Sequence, residues 1–117
     1  MGKLIYLYDD NKITIEGSTD IAFTEDVEAR FKAYGWQVLR VADSEDIEAM
    51  EAAVKEAPAD TEHPSLIIVR THIGYGSPKQ DSASCHGEPL GAEALALTKE
   101  KAGWPVGQPF YVSLTVS

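Results

Sequence analysis

Two short apolar segments constrain the fold of this chain more than any other feature. They are Leu4–Tyr8 (LIYLY) and Ser65–Val69 (SLIIV). A strand that is apolar at nearly every position is typical of a parallel sheet with helices covering both faces. A third segment, Trp36–Val41 (WQVLRV), alternates and lies between them in the sequence. We therefore predict three strands of a parallel sheet, with the first and last covered on both faces.

Segments with helical patterns lie between and after these strands. The first is expected to run from Thr24 to about Tyr34 and the second to begin at Ser44, because Thr and Ser oxygens cap free amides at helix starts. The predicted buried face of the second helix consists of Ile47, Met50, Ala53 and Val54. A last helix is expected over about 91–101. The order β-α-β-α-β-α predicts an α/β fold, a partial doubly wound parallel sheet.

Composition excludes several classes of partner. The chain has 117 residues, enough for one domain, and its formal net charge of −9 argues against nucleic acid, since phosphate backbones attract basic patches. No apolar run approaches the ~20 residues of a membrane span, and the acidic N-terminal segment is not typical of a signal peptide. Cys85 is the only cysteine, so no disulfide can form within the chain. This usage predicts a reducing compartment, and we expect the cytoplasm.

Polar and glycine-bearing segments follow the first and third strands. Asp9, Asp10 and Asn11 come directly after LIYLY, and Thr71–Ser77 (THIGYGS) follows SLIIV. Ligands of doubly wound sheets bind at the carboxyl ends of strands, so both segments are expected at one edge of the sheet. Oxygens of the first segment suit Mg²⁺ or Ca²⁺. The same residue types also favour ordinary turns, and composition alone leaves both interpretations open.

His86 is the histidine with the clearest functional signal. It lies beside glycine in a loop, where an imidazole can act as an acid, a base or a phosphate contact. Its neighbour Cys85 suggests a Cys–His nucleophile. Adjacent side chains usually point apart, however, and the sequence identifies no third group to orient them. His63 and His72 carry a weaker signal, because solitary loop histidines are mostly solvated.

Four separated motifs, taken together, resemble one family. LIYLYDDNKITIEG, DVEARFKAYGWQVLRV, PSLIIVRTHIGYGSP and CHGEPLGAEALALTKEKAGWP are similar to consecutive segments of transketolase. The resemblance runs from about Lys3 to about Val112 and matches the second half of the thiamine-diphosphate (pyrophosphate-binding) domain. It implies one partial domain over 1–112, followed by a tail over 113–117 that does not continue the family pattern.

The resemblance implies a set of binding residues. Thiamine-diphosphate enzymes hold a divalent cation, Mg²⁺ or Ca²⁺, that also binds diphosphate oxygens. By resemblance, the Asn11 side chain and the Ile13 main-chain carbonyl are metal ligands, and Asn11 thereby also binds the cofactor. Ile15 would form an apolar wall near the thiazolium. Ile73 and Gly74 would lie against the cofactor.

His86 has the implied catalytic role. It matches the histidine of the family's HG-x-PL segment, near the diphosphate and the reacting sugar, so it would bind the cofactor and assist proton transfer. Asp9 and Asp10 match an acidic pair that braces the turn and does not bind the metal. The family commonly carries a small residue where Glu88 stands, which is a departure from the pattern.

The implied activity is thiamine-diphosphate-dependent transfer of a two-carbon ketol unit between sugar phosphates in the pentose phosphate pathway. The Gly-Asp-Gly aspartate that completes the family's metal site would precede residue 1, so we expect a chain that is inactive alone. Its expected partners are sugar phosphates in the intact enzyme, and the remainder of a transketolase or a second copy of itself. The residues do not separate transketolase from relatives such as dihydroxyacetone synthase.

Two other interpretations stay open on the sequence. One is a single chain of a split transketolase. The other is a Mg²⁺-binding, flavodoxin-like receiver module, which also has an acidic pair after its first strand. A receiver needs a further Asp at a later strand end to accept phosphate. Asp43 is the available candidate, although it lies in a segment with the pattern of a helix start.

Overall fold

The computed structural model describes residues 2–14, 17–19 and 25–115 of the chain. In chain order its strands are β1 (Ile5–Asp10), β2 (Ile13–Thr14), β3 (Gly17–Ser18), β4 (Gln37–Val41) and β5 (Ser65–Arg70). Strands β1, β5 and β4 form a parallel sheet in that order, with β5 in the centre. Helices between successive strands return the chain to the same sheet, as the alternation of elements predicts. The predicted α/β class and parallel sheet are confirmed.

The strand ends are aligned. Ile5 lies opposite Ser65 and Asp10 opposite Arg70, while Val41 lies opposite Val69, one residue before the end of β5. Because the strands are parallel, their carboxyl ends meet at one side of the sheet, which we call the carboxyl edge. The segments that follow β1 and β5 therefore leave side by side, as predicted.

A short antiparallel hairpin follows β1 directly. In it, Ile13 lies opposite Ser18 and Thr14 opposite Gly17. The Thr14 hydroxyl donates to the Gly17 carbonyl at 3.0 Å, which helps to close the hairpin. Ile15, which the resemblance places at the cofactor, lies outside the described residues.

The helices α1 (Val27–Ala33) and α2 (Ile47–Glu56) are each capped by an aspartate. The side chains of Asp26 and Asp46 each accept a hydrogen bond of 3.0 Å from the backbone amide three residues further on. Such a carboxylate satisfies a free amide of the first turn, and its charge suits the positive end of the helix. Thr24, the predicted start of the first helix, lies outside the described residues.

The predicted start of the second helix at Ser44 is wrong. The Ser44 amide donates to the Arg70 carbonyl at 3.0 Å, and the Asp43 side chain accepts from the Glu45 amide at 2.9 Å. These bonds hold the segment as a turn, so the helix begins only at Ile47. Short polar side chains often compete with helices in this way, by bonding to nearby backbone groups.

The core lies between α2 and one face of the sheet. Its buried members are Val41, Ala53, Ala57, Ile67 and Val69. Ala57, which belongs to a single 3₁₀ turn after α2, is fully buried. Small alanines on this side let α2 approach the sheet closely, so the branched side chains of β4 and β5 are covered.

The predicted buried face of α2 is partly wrong. Ala53 is buried and Met50 is half-buried, but Ile47 is 77% exposed and Val54 is 48% exposed. Ala57 extends the buried side of the helix in their place. Helical spacing fits both sets of residues, and only the rotation of the helix against the sheet distinguishes them.

Strand β1 is exposed although its sequence is as apolar as that of β5. Tyr6 is 54% exposed and Leu7 is 57% exposed, whereas Leu66 and Ile67 are buried. The prediction that LIYLY is covered on both faces is therefore wrong for the part of the chain that the structure describes. Within that part β1 pairs only with β5, so its outer edge is open beside apolar surface.

Helix α3 (Ala92–Lys101) confirms the predicted last helix. It begins after Gly91, whose φ of 85° is a conformation that glycine adopts readily. Two of its residues, Leu95 and Leu97, are exposed. No helix in residues 2–14, 17–19 or 25–115 is both long and apolar enough to cross a bilayer.

Candidate functional site

The segments that leave β1 and β5 are joined at the carboxyl edge. The Thr71 amide and the Arg70 guanidinium each donate to the Asp10 carbonyl at 3.2 Å. The Thr71 hydroxyl also donates to the Asp9 carboxylate. These bonds fix the start of one segment relative to the other, so two loops begin at one place.

Residues 11–13 form a tight turn after β1. The Ile13 amide donates to Asn11 Oδ1 at 3.0 Å, and Lys12 between them has a φ of 62°, which few non-glycine residues adopt. Lys12 Nζ lies 2.8 Å from Asp10 Oδ2. A side chain–backbone bond and an ion pair thus stabilise the strained residue. Asp9 and Asp10 both bind protein groups here, as expected for carboxylates that brace the turn.

The register of the hairpin sets the direction of the Ile13 carbonyl. The Thr19 amide donates to the Lys12 carbonyl at 2.9 Å. Lys12 and Thr19 are the residues directly next to the pair of Ile13 and Ser18. Such a pair is not itself hydrogen bonded, so the amide and carbonyl of Ile13 both point away from β3. The turn therefore presents two neutral oxygens, Asn11 Oδ1 and Ile13 O, toward the same side.

These two oxygens fit a divalent cation chemically. Mg²⁺ and Ca²⁺ prefer oxygen ligands, and an amide oxygen that accepts one hydrogen bond keeps a second lone pair. Among the described residues, no group of three or more His, Cys, Asp and Glu side chains is placed to hold a metal ion. A cation at this turn would thus take further oxygens from a ligand or from other protein segments.

A cleft of about 390 Å³ adjoins the turn on the α1 side of the sheet. Its walls include Asp10 and Lys12 from the turn, Glu28 from α1 and Arg40 from β4. Hydrogen bonds from Lys32 at 2.7 Å and from Arg40 at 2.5 Å hold the pKa of Glu28 down to about 2. The wall therefore keeps its paired charges across the physiological pH range, and α1 stays tied to β4.

The loop after β5 is built around Gly74. Gly74 has a φ of 66°, and a Cβ added there would overlap the sulfur of Cys85, so glycine is required. The Cys85 thiol donates to the Lys79 carbonyl at 2.9 Å, which gives it a structural role. Cys85 ends a 3₁₀ turn (Ala83–Cys85) and His86 follows directly. The packing of sulfur on glycine thus brings the two ends of this loop together.

His86 has a fixed backbone and an available side chain. Its amide donates to the Ala83 carbonyl at 3.1 Å. Its imidazole is exposed and makes no hydrogen bond or ion pair to another residue in the described ranges. An imidazole in this state is open to a ligand that needs a proton donor.

The predicted site residues fall into two groups at the carboxyl edge. Asn11 and Ile13 lie in the turn after β1, and Ile73, Gly74 and His86 lie in the loop after β5. No hydrogen bond joins the first group to the second within the described part of the chain. The contacts of Thr71 with Asp9 and Asp10 connect them, since Asp10 directly precedes Asn11 and Thr71 lies two residues before Ile73.

The second loop contains a side-chain contact between His72 and Asp81 that was not predicted from the sequence. His72 Nδ1 lies 2.9 Å and 3.0 Å from the two carboxylate oxygens of Asp81. This hydrogen bond holds the pKa of Asp81 below its usual range. The partners lie nine residues apart in an irregular segment, so no periodic pattern could have indicated the contact.

The whole chain, residues 1–117, matches the family model described as transketolase, thiamine diphosphate binding domain. The chain belongs to the transketolase family. A transketolase from Nostoc sp. is 54% identical over 114 residues, covering 96% of this chain and 17% of its own length. One from Geobacillus stearothermophilus is 49% identical over 113 residues, with the same coverage. The chain thus spans about a sixth of the length of these relatives.

Solved transketolase structures have the same fold. The Pichia stipitis enzyme in complex with sedoheptulose-7-phosphate aligns with a TM-score of 0.91 and 46% identity, over 96% of this chain and 17% of its own. The Leishmania mexicana enzyme aligns with a TM-score of 0.90 and 38% identity, over 97% of this chain and 17% of its own. These matches confirm the resemblance and the α/β domain. They leave the receiver interpretation without support, and Asp43 caps a turn instead.

Proposed function

We propose that this chain provides the metal- and diphosphate-binding edge of a thiamine-diphosphate-dependent transketolase. The turn after β1 carries the proposal, because Asn11 Oδ1 and Ile13 O face one side in a domain of the thiamine-diphosphate-binding family. A divalent cation, Mg²⁺ or Ca²⁺, suits these oxygens. It would also bridge an anionic diphosphate to a chain whose formal net charge is −9.

When bound, thiamine diphosphate supplies the nucleophilic carbon for transfer of a two-carbon ketol unit between sugar phosphates. The residues of this chain bind and orient. Ile73 and Gly74 would form a wall against the cofactor, with Ile15 as a further apolar contact. His86, exposed and without a partner among the described residues, would donate to diphosphate or sugar oxygens and hold a proton there. The Pichia stipitis complex with sedoheptulose-7-phosphate supports sugar phosphates as the substrate class.

We also propose the setting of this activity. The partner is the remainder of a transketolase, which in a split enzyme is a second chain, or another copy of this chain. The exposed Tyr6 and Leu7 beside the open edge of β1 support such an association. The pathway is the pentose phosphate pathway and the compartment the cytoplasm, with neither nucleic acid nor membrane as a partner. Alone, the chain should transfer no ketol units, and measurable turnover of xylulose 5-phosphate by the purified chain would contradict this.

Thermal melting of the full chain tests the binding proposal. We expect an upward shift only with thiamine diphosphate and Mg²⁺ together, worth about 2.7 kcal/mol at roughly 100 times the dissociation constant. Asn11→Ala removes one proposed ligand and should abolish the shift. Asn11→Asp keeps an oxygen in place and should preserve it. Equal shifts in wild type and Asn11→Ala would contradict the assignment of the metal ligand.

A further inference from the structure

The segment from His72 to Asp81 is closed into a ring at its two ends. His72 Nδ1 lies 2.9 Å from Asp81 Oδ1 and 3.0 Å from Oδ2. The Asp81 amide donates to the Ile73 carbonyl at 3.0 Å. Asp81 therefore binds the first residue of the segment with its side chain and the second with its backbone.

Hydrogen bonds inside this ring hold its turns but do not join its ends. The Ser77 amide donates to the Gly74 carbonyl at 2.9 Å, and the Gln80 amide donates to the Ser77 carbonyl at 3.1 Å. The Gly76 amide donates to Gln80 Oε1 at 3.0 Å. Closure of the ring consequently depends on Asp81.

Asp81 adopts a backbone conformation that suits glycine better. Its φ of 61° lies in the left-handed region, where an L-residue with a side chain is strained. The side-chain contact with His72 is an interaction that glycine cannot make. The other groups that stabilise the charged carboxylate are the Gln80 side chain, by a hydrogen bond, and the positive charge of Arg70.

The ring carries residues of the proposed cofactor site. Ile73 and Gly74 lie within it, and the sulfur of Cys85 rests on Gly74. The Cys85 thiol donates to the Lys79 carbonyl, which also belongs to the ring. Because His86 follows Cys85 directly, the position of its imidazole depends on the shape of the ring.

We propose that His72 and Asp81 are positioning residues, whose side-chain hydrogen bond closes the ring and holds Ile73, Gly74 and His86 in place for the cofactor. The role of the ring in cofactor binding rests on the proposed function, whereas its closure rests on the geometry alone. The pKa of Asp81 is lowered, above all by the hydrogen bond from His72, so its carboxylate is held in the charged form that accepts this bond.

Amide hydrogen exchange of the full chain without cofactor tests the closure. Three variants separate the contributions. Asp81→Asn keeps an oxygen and tolerates the left-handed backbone but removes the charge of the carboxylate. Asp81→Gly relieves the backbone and removes the side chain. His72→Gln removes the imidazole. We expect the amides of residues 77 and 81 to exchange about threefold to fivefold faster in each variant, as suits a partly exposed side-chain pair.

The chain offers a matched control in a second His–Asp pair. His63 Nδ1 lies 3.1 Å and 3.0 Å from the two carboxylate oxygens of Asp60, before the amino end of β5. His63→Gln should leave exchange in the ring unchanged. Unchanged or slower exchange in Asp81→Gly would overturn the proposal, because Asp81 would then serve only the left-handed turn.

Melting with thiamine diphosphate and Mg²⁺ tests the link to the cofactor. The ring variants should need about threefold to fivefold more cofactor than wild type or His63→Gln for the same shift, in line with the exchange result. Equal cofactor requirements would overturn the positioning role. If the wild type shows no shift, the proposed function fails, and the exchange experiment still decides whether the pair closes the ring.

Discussion

Strands β1 and β5 lie side by side with similar apolar sequences, but the structure uses them in opposite ways. Leu7 and Ile67 are direct neighbours in the register, yet Leu7 is 57% exposed and Ile67 is fully buried. β5 has a strand on each side and α2 against one face, whereas β1 pairs only with β5 within the described residues. Each strand then leads into half of the candidate site. The central strand thus provides stability, and the edge strand provides an open surface beside the site.

The largest effect is expected from shortening the two neighbouring side chains, Leu7 and Ile67, to alanine. Ile67→Ala should lower the free energy of unfolding by about 2–5 kcal/mol, because it leaves a cavity in a closed core. Leu7→Ala should lower it by about 1 kcal/mol or less, since much of Leu7 already contacts water. Urea unfolding at low protein concentration measures both. Equal losses would mean that another copy of the chain covers β1 in solution.

A second test concerns the loop that β5 supports. Gly74→Ala should destabilise the chain by about 1–3 kcal/mol, because it adds left-handed strain and displaces the sulfur of Cys85. Gly76→Ala is the matched control, since Gly76 also has a positive φ, of 83°, but has open space around its Cα. It should lower stability by about 1–2 kcal/mol, from strain alone. If Gly76→Ala proves the more harmful in urea unfolding, the packing of Cys85 on Gly74 is not what holds the loop.

A third test asks whether the exposed surface of β1 drives association. Leu7→Lys places a charge on an edge strand, a common protection against edge-to-edge pairing. Its effect on the unfolding free energy should stay within about 0.5 kcal/mol, while the tendency to self-associate falls. Sedimentation velocity over a range of concentrations measures the association. Glu51→Lys, a charge change on an exposed position of α2, serves as the control and should not reduce it.

The smallest expected effect on stability comes from Glu28, whose side chain joins α1 to β4 through Arg40. The pKa of Glu28 is lowered from 4.5 to about 2, so the stabilisation is complete above about pH 4.5 and is lost as the pH falls toward about 2. Glu28→Gln should therefore differ from wild type above that window and converge with it at its acidic end. Because the pair is exposed, the difference should be small and should shrink in high salt. Unfolding curves from pH 2 to pH 7 would show whether the two proteins converge.

Elements that depend on the local pattern and on chain topology were predictable from the sequence. Strand order predicted the parallel sheet and the meeting of the Asn11 and Thr71 segments at one edge, and a helical pattern predicted the last helix. The failures concern what covers each element. The sequence of β1 has the pattern of a covered strand, and Ile47 has the spacing of a residue on a buried helix face, yet both are exposed. Periodicity shows which residues are apolar, but it does not show what packs on them.

The finer parts of the site depend on contacts that local patterns do not contain. The left-handed turn at Lys12 is set by a side chain–backbone bond of Asn11 and by the hairpin register. The pairing of His72 with Asp81 requires the loop to close on itself. The resemblance to a family pointed to Asn11, Ile13 and His86 as site residues, and their roles stay predictions until binding is measured.

The packing of the Cys85 sulfur on Gly74 makes the chain's single thiol a built-in probe of the loop. While the loop is closed, the half-buried thiol donates to the Lys79 carbonyl and its sulfur lies against Gly74. Opening of the loop should therefore raise its rate of alkylation, so a change in that rate follows a change in loop opening. One chromogenic thiol titration, without labels or engineered cysteines, follows how tightly the loop is held as pH, cation and cofactor are varied.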